Sequence, residues 1–240
     1  MHSLKKQINR YWTQRAPEFS ALRKAELASS KGRLWRNEIM RLLPEPQDER
    51  RSIQVLDIGT GSGFFAFLLE PLGYSVTGID LSAAMIEHAR DWAKSIGSRA
   101  TFLCMDAENP EFAAQSFDVL ITRNLTWTLP NLPEAYRRWK RLLRPGGVLV
   151  NFDADYSRST HNTVKAAAHK AIGSELMQEH RNIQAALAGL QPPRPRWDRM
   201  LLAQAGFRDI VLDTAVGERI YREIDDFHNP DAVFGITARV

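Results

Sequence analysis

A glycine-rich segment in the first third of the chain constrains the fold more than any other feature. Residues 55–63 read VLDIGTGSG, so an apolar run is followed directly by three glycines at alternate positions. Glycine takes up backbone conformations that other residues avoid, and it lets a ligand touch the main chain. A helix that begins after such a turn offers free N–H groups to a polar or anionic ligand. The segment therefore predicts a buried strand, a tight turn and a helix, with a ligand held at the turn.

Predicted strands and helices alternate regularly from residue 53 to residue 152. Strands are expected at 53–58, 75–79, 100–105, 117–122 and 148–152, and helices at 64–72, 82–96 and 132–143. Ser82 is suited to cap the second helix, Gly97 lies just past its end, and the Pro-Gly-Gly run at 145–147 stops the third. Apolar strands that alternate with helices indicate a parallel sheet covered on both faces, and right-handed crossovers make such a sheet doubly wound.

The rest of the chain is expected to complete one α/β domain over residues 1–240. Residues 1–45 form an N-terminal helical cap, 50–155 the ligand-binding core, 156–195 a helical insertion after the fifth strand, and 196–240 the last part of the sheet. The final segments predict a helix at 197–205 and strands at 207–214 and 232–240, the late strand running antiparallel. The fold class is a doubly wound, mostly parallel, seven-stranded sheet.

The composition indicates the cellular location and the kinds of partner to expect. The 240 residues are 44% hydrophobic and 25% charged, which is usual for one globular domain. There is no apolar run long enough to span a bilayer, no apolar signal-peptide core, and only one cysteine, Cys104. We therefore expect a cytoplasmic protein that avoids membranes. The net charge of +4 is modest and disfavours a nucleic-acid partner. Apolar surface on the insertion would support a homodimer.

A carboxylate downstream of the glycine turn limits the ligand to two classes. Asp80 ends the second predicted strand, where an acid can accept hydrogen bonds from ribose hydroxyls, as in dinucleotide and S-adenosylmethionine sites. The turn is Gly-x-Gly-x-Gly, whereas dinucleotide turns read Gly-x-Gly-x-x-Gly. The acid Asp57 precedes the turn, where it suits an ammonium group better than a pyrophosphate. These features favour S-adenosylmethionine.

Four motifs resemble those of class I S-adenosylmethionine-dependent methyltransferases. Residues 57–63 are similar to the first motif, 78–82 to the second and 104–107 to the third, and 141–147 resemble the helix and turn before the fifth strand. Met85 completes the Asp-x-Ser-x-x-Met pattern of small-molecule methylases. The pair Arg123-Asn124 is similar to that of ubiquinone and menaquinone methylases. The resemblance covers roughly residues 50–155.

The resemblance implies a cofactor site that extends along the carboxyl ends of the strands. The glycines would hold the methionine part, Asp80 the ribose, and Asp106 the adenine amino group. The implied cofactor-binding residues are Tyr11, Asp57, Gly59, Thr60, Gly61, Gly63, Asp80, Leu81, Met85, Met105, Asp106, Ala107, Arg123 and Asn124. Met85 and Met105 would equally suit the core, and Asp106 a helix cap. Either Tyr11 or Arg15, in a segment that resembles a lid helix, would contact the cofactor carboxylate.

Candidates for the substrate side follow the fourth and fifth strands. We expect Trp12, Trp127, Asp153 and Asp155 to bind substrate, with Asp153 and His161 as candidate catalytic groups. Each has a plain structural alternative: Trp127 as a core residue, Asp153 and Asp155 as solvated or capping acids, and His161 as a surface histidine. Cys104 is expected to be buried on the third strand and unable to attack a ring. No histidine spacing predicts a metal site.

These features favour an enzyme that transfers a methyl group in line to nitrogen, oxygen or carbon of a small metabolite. Three alternatives stay open: an RNA or protein methyltransferase, a nicotinamide oxidoreductase on a similar fold, and a non-catalytic protein that keeps the cofactor fold. A fold by itself does not fix a function, so the choice between them depends on the site.

Overall fold

One seven-stranded sheet forms the centre of the computed structural model, which describes residues 2–45, 52–159 and 173–240. The strands are β1 (Gln54–Ile58), β2 (Ser75–Asp80), β3 (Thr101–Cys104), β4 (Phe117–Arg123), β5 (Leu143–Asp153), β6 (Arg208–Asp213) and β7 (Phe234–Arg239). The helices are α1 (His2–Ala28), α2 (Ser30–Met40), α3 (Phe64–Leu69), α4 (Ala83–Ile96), α5 (Leu132–Leu142), α6 (Ser174–Leu190), α7 (Arg196–Gln204) and α8 (Val216–Tyr221). Three short 3-10 segments span Glu70–Leu72, Thr126–Thr128 and Tyr156–Arg158.

The sheet has the order β3-β2-β1-β4-β5-β7-β6. The first five strands pair in parallel, whereas β7 pairs antiparallel with both β5 and β6. This confirms the doubly wound, mostly parallel, seven-stranded sheet and its antiparallel late strand. The strand order reverses between β1 and β4, so the carboxyl ends of these strands open a crevice at the position where such sheets bind ligands.

Two boundaries differ from the sequence expectation. The Pro-Gly-Gly run at 145–147 does not separate a helix from a strand, because β5 already begins at Leu143, which pairs with Phe117. A side chain at Gly147 would approach the Asp118 carbonyl to 3.1 Å, so this position needs glycine for close strand packing. The connection from β6 to β7 contains α8, which the sequence did not indicate, and is not a simple hairpin.

The helices beside the crevice begin and end as the sequence predicts. The Ser82 hydroxyl accepts a hydrogen bond from the Met85 amide and caps α4, and Gly97 ends that helix with φ near 69°. Helix α5 buries Leu132, Tyr136 and Trp139 on one stripe, which packs against one face of the sheet.

Helix α1 lies over the crevice and contacts α4 and α6. Its residues Ile8 and Tyr11 pack with Trp127 and with Ile183 and Leu187 of α6. This small cluster is separate from the two larger cores on the faces of the sheet. It covers the crevice from above.

Cys104 is exposed, so the expectation that it is buried was wrong. It ends β3, which lies at one edge of the sheet beside β2. Within the three described ranges, no helix is both long and apolar enough to cross a bilayer.

Candidate functional site

The crevice contains a cavity of about 240 Å3 that runs between the ends of β1, β2 and β4 and the overlying helices α1 and α6. The glycine turn and Asp80 lie at its centre, and Asp106 lies at one end. The other end, here called the reacting end, is bounded by Arg123 and Asn124. The loop between α8 and β7 closes that end. The cavity therefore joins most of the residues that the sequence singled out.

The glycine turn supplies an open backbone surface. Gly59 has φ near 69° and Gly61 has φ near 54°, a region that L side chains rarely adopt. A Cβ added to Gly59 would come within 2.8 Å of Leu125, whereas one at Gly61 would meet nothing closer than Phe19, at 3.7 Å. Gly63 does not line the cavity, because the space beside it is filled by rings of the core. Gly63 packs closely against Phe67 and Phe102, and its contact with the cofactor stays a prediction.

Asp80 holds the turn and faces the cavity. Its two carboxylate oxygens accept hydrogen bonds from the Gly61 and Ser82 amides, at 3.0 Å and 2.9 Å. Desolvation raises the pKa of Asp80 to about 6, although these backbone hydrogen bonds act to lower it. The lone pairs that the amides leave free suit the vicinal hydroxyls of a ribose.

Asp57 is the second carboxylate beside the turn, and it is buried. It accepts a hydrogen bond from the Thr60 hydroxyl at 2.6 Å. Desolvation and, to a lesser extent, the nearby Asp80 carboxylate raise its pKa to about 7, although the Thr60 hydrogen bond acts to lower it. A ligand with an ammonium group would offset both effects, which agrees with the role expected from the sequence.

A slot lined by Leu81, Met85 and Ala107 leads from Asp80 towards Asp106. The carboxylate of Asp106 accepts a hydrogen bond from the Glu108 amide and pairs with Lys5 of α1 at 2.7 Å. An apolar slot with a carboxylate at each end fits a nucleoside, whose ring stacks on apolar side chains and whose polar groups need acceptors. The residues present therefore fit S-adenosylmethionine.

Met105 lies outside the slot. It packs beside the core cluster under α5, and its sulfur accepts a hydrogen bond from the Glu111 amide. Met105 therefore packs with the hydrophobic core, which the sequence analysis gave as its alternative role, whereas Met85 lines the cavity.

The reacting end is built around a buried ion pair. Arg123 donates to Glu26 of α1 at 2.7 Å and to the Tyr221 hydroxyl at 2.8 Å. Burial acts to raise the pKa of Glu26, but Arg123 and Arg23 outweigh it, and the pKa is lowered. The guanidinium also lies 4.3 Å from the centre of the Trp35 ring, which adds a cation–π contact. Arg123 is thus fixed in place with α1 as its partner.

Asn124 is fixed by its backbone and its side chain. It has φ near 56°, and its Oδ1 accepts a hydrogen bond from the Tyr156 hydroxyl at 2.9 Å. Asparagine tolerates this left-handed conformation better than most residues. The strained turn aims the segment with Trp127 back over the cavity, and the Trp127 indole donates to the Asn124 carbonyl at 3.2 Å.

Aromatic side chains form the walls above the sheet. Tyr11 and Trp12 of α1 and Trp127 all line the cavity, which brings together three residues expected there. Burial raises the pKa of Tyr11 to about 12, so its hydroxyl keeps its proton at neutral pH. Trp127 is 4% exposed and packs against α1 and α6, so it is both a wall and a core residue.

His180 is a cavity residue that the sequence analysis did not favour. Its ring centre lies 5.2 Å from that of Tyr11 and 5.9 Å from that of Trp127. Burial lowers its pKa to about 4, and Arg15 adds to the shift, so the ring is neutral at pH 7. The sequence could have indicated this position, because His180, Ile183 and Leu187 recur at helical spacing and form the buried face of α6.

Two acids expected at the crevice mouth lie elsewhere. Asp153 is fully buried away from the cavity and pairs with Arg194 at 3.0 Å, so it is not placed to bind substrate or act as a base. Asp155 accepts a hydrogen bond from the Arg194 amide and lines a separate pocket. The structure therefore places neither acid at the cavity, because Arg194, which precedes α7, reaches back to the end of β5. His161 lies outside the described residues. Across the described ranges, no cluster of three or more His, Cys, Asp or Glu is arranged to hold a metal ion.

Comparison with known proteins gives a family for the core. Residues 56–151 match the family model described as a methyltransferase domain. A ubiquinone biosynthesis O-methyltransferase of Coxiella burnetii is 28% identical over 131 residues, which cover 55% of this chain and 53% of that protein. The chain spans about half or less of the curated relatives that it matches first.

Solved structures show the same fold at low identity. The Haemonchus contortus phosphoethanolamine N-methyltransferase 2, in complex with phosphomonomethylethanolamine and S-adenosylhomocysteine, has a TM-score of 0.59 and 19% identity, covering 85% of this chain and 52% of that one. The [4+2]-cyclase SpnF has a TM-score of 0.54 and 19% identity, covering 78% of this chain and 74% of that one. A methyltransferase and a cyclase on one fold show that the fold alone does not decide the reaction.

Proposed function

The domain at residues 56–151 belongs to the class I S-adenosylmethionine-dependent methyltransferase superfamily, and from this premise we propose that the protein methylates a small molecule enclosed in its cavity. The acceptor atom would be nitrogen, oxygen or carbon. The observation that carries the proposal is the single cavity that runs from the Asp80 carboxylate to the aromatic walls under α1. A cytoplasmic location and a homodimer stay proposals from the sequence.

The cofactor roles follow from the position of each group. Asp80 would accept hydrogen bonds from the ribose hydroxyls, Asp106 from the adenine amino group, and Asp57 would face the ammonium group. To bind adenine, Asp106 would share its carboxylate with Lys5, which also reaches Glu108 at 2.5 Å and can keep that partner. Helix α1 would then stay closed over the bound cofactor.

The protein's own contribution is to align the acceptor and exclude water. Bound S-adenosylmethionine supplies an activated methyl group on a sulfonium, so the transfer depends mainly on in-line placement. Arg123 and Asn124 are held rigidly at the reacting end by Glu26 and Tyr156. The lid of α1 and α6 packs over the cavity and shields the reaction from solvent. A cavity under two covering helices suits a small acceptor better than RNA or protein.

Calorimetric titration tests the proposal. The purified protein is titrated with S-adenosylhomocysteine, NAD and NADP in parallel, and then incubated with S-adenosylmethionine and a panel of amines, phenols and heterocycles. We expect S-adenosylhomocysteine alone to bind, and at least one acceptor to be methylated. Binding of a nicotinamide cofactor would overturn the proposal in favour of an oxidoreductase. Tight S-adenosylhomocysteine binding with no methylation would favour a different reaction on the same fold.

Cofactor affinity is expected to rise with pH across the range in which the two central acids ionise. The raised pKa values of Asp57, about 7, and Asp80, about 6, mean that the free protein holds protons there at mildly acid pH. An ammonium group and ribose hydroxyls favour the ionised carboxylates, so binding releases those protons. As the pH falls below each of these pKa values, the Kd for S-adenosylhomocysteine should increase by up to about tenfold for each pH unit and for each of the two groups.

Calorimetry in buffers of different ionisation enthalpy measures both the Kd and the protons released. The variant Asp57→Asn keeps the size of the side chain and should remove the change in Kd that occurs near the higher of the two pKa values. A Kd that does not change with pH would show that neither acid faces the ligand.

A further inference from the structure

The loop between α8 and β7 places a histidine at the reacting end of the cavity. His228 and Asn229 both line the cavity. The Asn229 amide donates to the Tyr156 hydroxyl at 2.6 Å, and that hydroxyl donates to Asn124. His228 is bound to Tyr221, whose hydroxyl accepts a hydrogen bond from Arg123. The consecutive loop residues His228 and Asn229 are therefore linked, each through one tyrosine, to the consecutive residues Arg123 and Asn124 at the end of β4.

The tautomer of the His228 ring follows from its hydrogen-bond partner. Nδ1 lies 3.0 Å from the backbone carbonyl oxygen of Tyr221, and a carbonyl only accepts, so Nδ1 carries the hydrogen. In the neutral ring Nε2 is then the nitrogen with a free lone pair. No hydrogen bond to Nε2 comes from the residues that the structure describes. A histidine whose Nδ1–H is fixed by a carbonyl is prepared to accept a proton at Nε2.

Charged and titratable groups from five elements line the cavity near this loop. They are Asp226 and Asp231 of the same loop, Tyr221 of α8, Tyr156 after β5, Arg123 of β4 and Arg23 of α1. The Glu26 carboxylate pairs with both arginines, at 2.7 Å to Arg123 and 2.5 Å to Arg23.

We propose that His228 is the catalytic base and that it takes the proton from a hydroxyl group on an aromatic methyl acceptor. This inference rests on the proposed methyltransferase function. An oxygen lone pair forms the new C–O bond, the S–CH3 bond breaks with its electron pair left on sulfur, and the hydroxyl proton passes to Nε2. The resulting imidazolium then loses its proton to solvent.

A hydroxyl acceptor fits a positioned base better than an amine does. A neutral amine attacks through its lone pair and can lose its proton after the transfer, whereas a hydroxyl is a weak nucleophile until its proton leaves. The aromatic walls favour a flat acceptor, since Trp127 and Tyr156 have ring centres 5.6 Å apart at an angle of 60°. The other described histidine of the cavity, His180, packs against the rings of Tyr11 and Trp127, and burial lowers its pKa to about 4.

The first test needs no turnover. Para-nitrophenol absorbs visible light only as the phenolate, so it is added to the protein with S-adenosylhomocysteine at a pH just below its own pKa. We expect the wild type to increase the phenolate band and His228→Asn to abolish the increase. The asparagine amide can still donate to the Tyr221 carbonyl. The control His88→Asn, outside the cavity on α4, should behave like the wild type. No phenolate band with the wild type would overturn the proposal.

The second test compares the rates of two phenols. At mildly basic pH para-nitrophenol is already ionised, whereas para-methoxyphenol is not. His228→Asn should lower kcat/KM for para-methoxyphenol about 100-fold or more, and for para-nitrophenol by less than about tenfold. Equal losses for both phenols, or methylation of amines only, would contradict a base at His228. Unchanged S-adenosylhomocysteine binding by the variant separates these results from a failure of the methyltransferase proposal, in which the wild type itself would not bind.

Discussion

Asp80→Ala is expected to weaken S-adenosylhomocysteine binding about 100-fold or more, because two ribose hydrogen bonds to a charged acceptor are lost at once. Each hydrogen bond of this kind contributes about 1.5–3 kcal/mol. The loss of both converts to a factor of about 100 to 10,000 in Kd. The Asp80 carboxylate also organises the glycine turn through the Gly61 amide. The substitution therefore removes both a ligand contact and the preorganisation of the turn.

Calorimetry with purified variants measures this loss, and thermal unfolding checks that the sheet is intact. Asp80→Asn keeps the shape and one acceptor, so we expect an intermediate Kd. Asp91→Ala on the exposed face of α4 is the matched acid control and should bind as the wild type does. Normal binding by a folded Asp80→Ala protein would remove Asp80 from the site, and with it the assignment of the cavity to the cofactor.

Arg194→Met is expected to lower the free energy of unfolding by about 3–5 kcal/mol, because it leaves two buried carboxylates without their cation. The Arg194 guanidinium is fully buried between Asp153 and Asp198, at 3.0 Å and 2.5 Å. It also donates to the Thr126 hydroxyl at 2.5 Å. Burial raises the pKa of Asp153, and the Arg194 charge opposes that rise. Without the arginine, Asp153 would take up a proton on folding.

Urea unfolding at neutral pH measures the change. The triple variant Arg194→Met, Asp153→Asn and Asp198→Asn removes the whole charge cluster and should recover much of the lost stability, since no buried charge is left unpaired. Recovery would show that the loss comes from unpaired charge and not from the missing side-chain volume. A single variant as stable as the wild type would mean that water or another cation reaches the acids.

The same cluster positions the segment after β4. The Asp153 carboxylate accepts hydrogen bonds from the Thr126 hydroxyl and the Trp127 amide, at 2.5 Å and 3.0 Å. Asp153 thus reaches the cavity only through Trp127, which forms part of the wall. The sequence marked Asp153 as important for substrate, but the structure makes it a positioning residue, held by a partner from a distant part of the chain.

Local sequence patterns predicted the conformation of the glycine turn and of the helix cap beside it well. The glycine turn, the cap at Ser82 and the acid at Asp80 depend on residues a few positions apart, and their conformations are set by local backbone preferences and hydrogen bonds. Alternating apolar strands and helices determined the parallel sheet, because right-handed crossovers allow few other topologies. Those parallel strands then had to bring Asp57 and Asp80 to one edge.

The substrate half depended on contacts that no local pattern encodes. His228 meets the end of β4 through Tyr221, and Arg194 meets Asp153, although each pair is far apart in the sequence. Cys104 is exposed because β3 is the edge of the sheet, a position set by strand order rather than by its neighbours in the chain. The sequence by itself determined the sheet and the glycine turn with Asp80 beside it, whose interactions are short in range. Only the tertiary structure decided which buried charges pair and which histidine stands at the reacting end, because those choices depend on side chains that folding alone brings together.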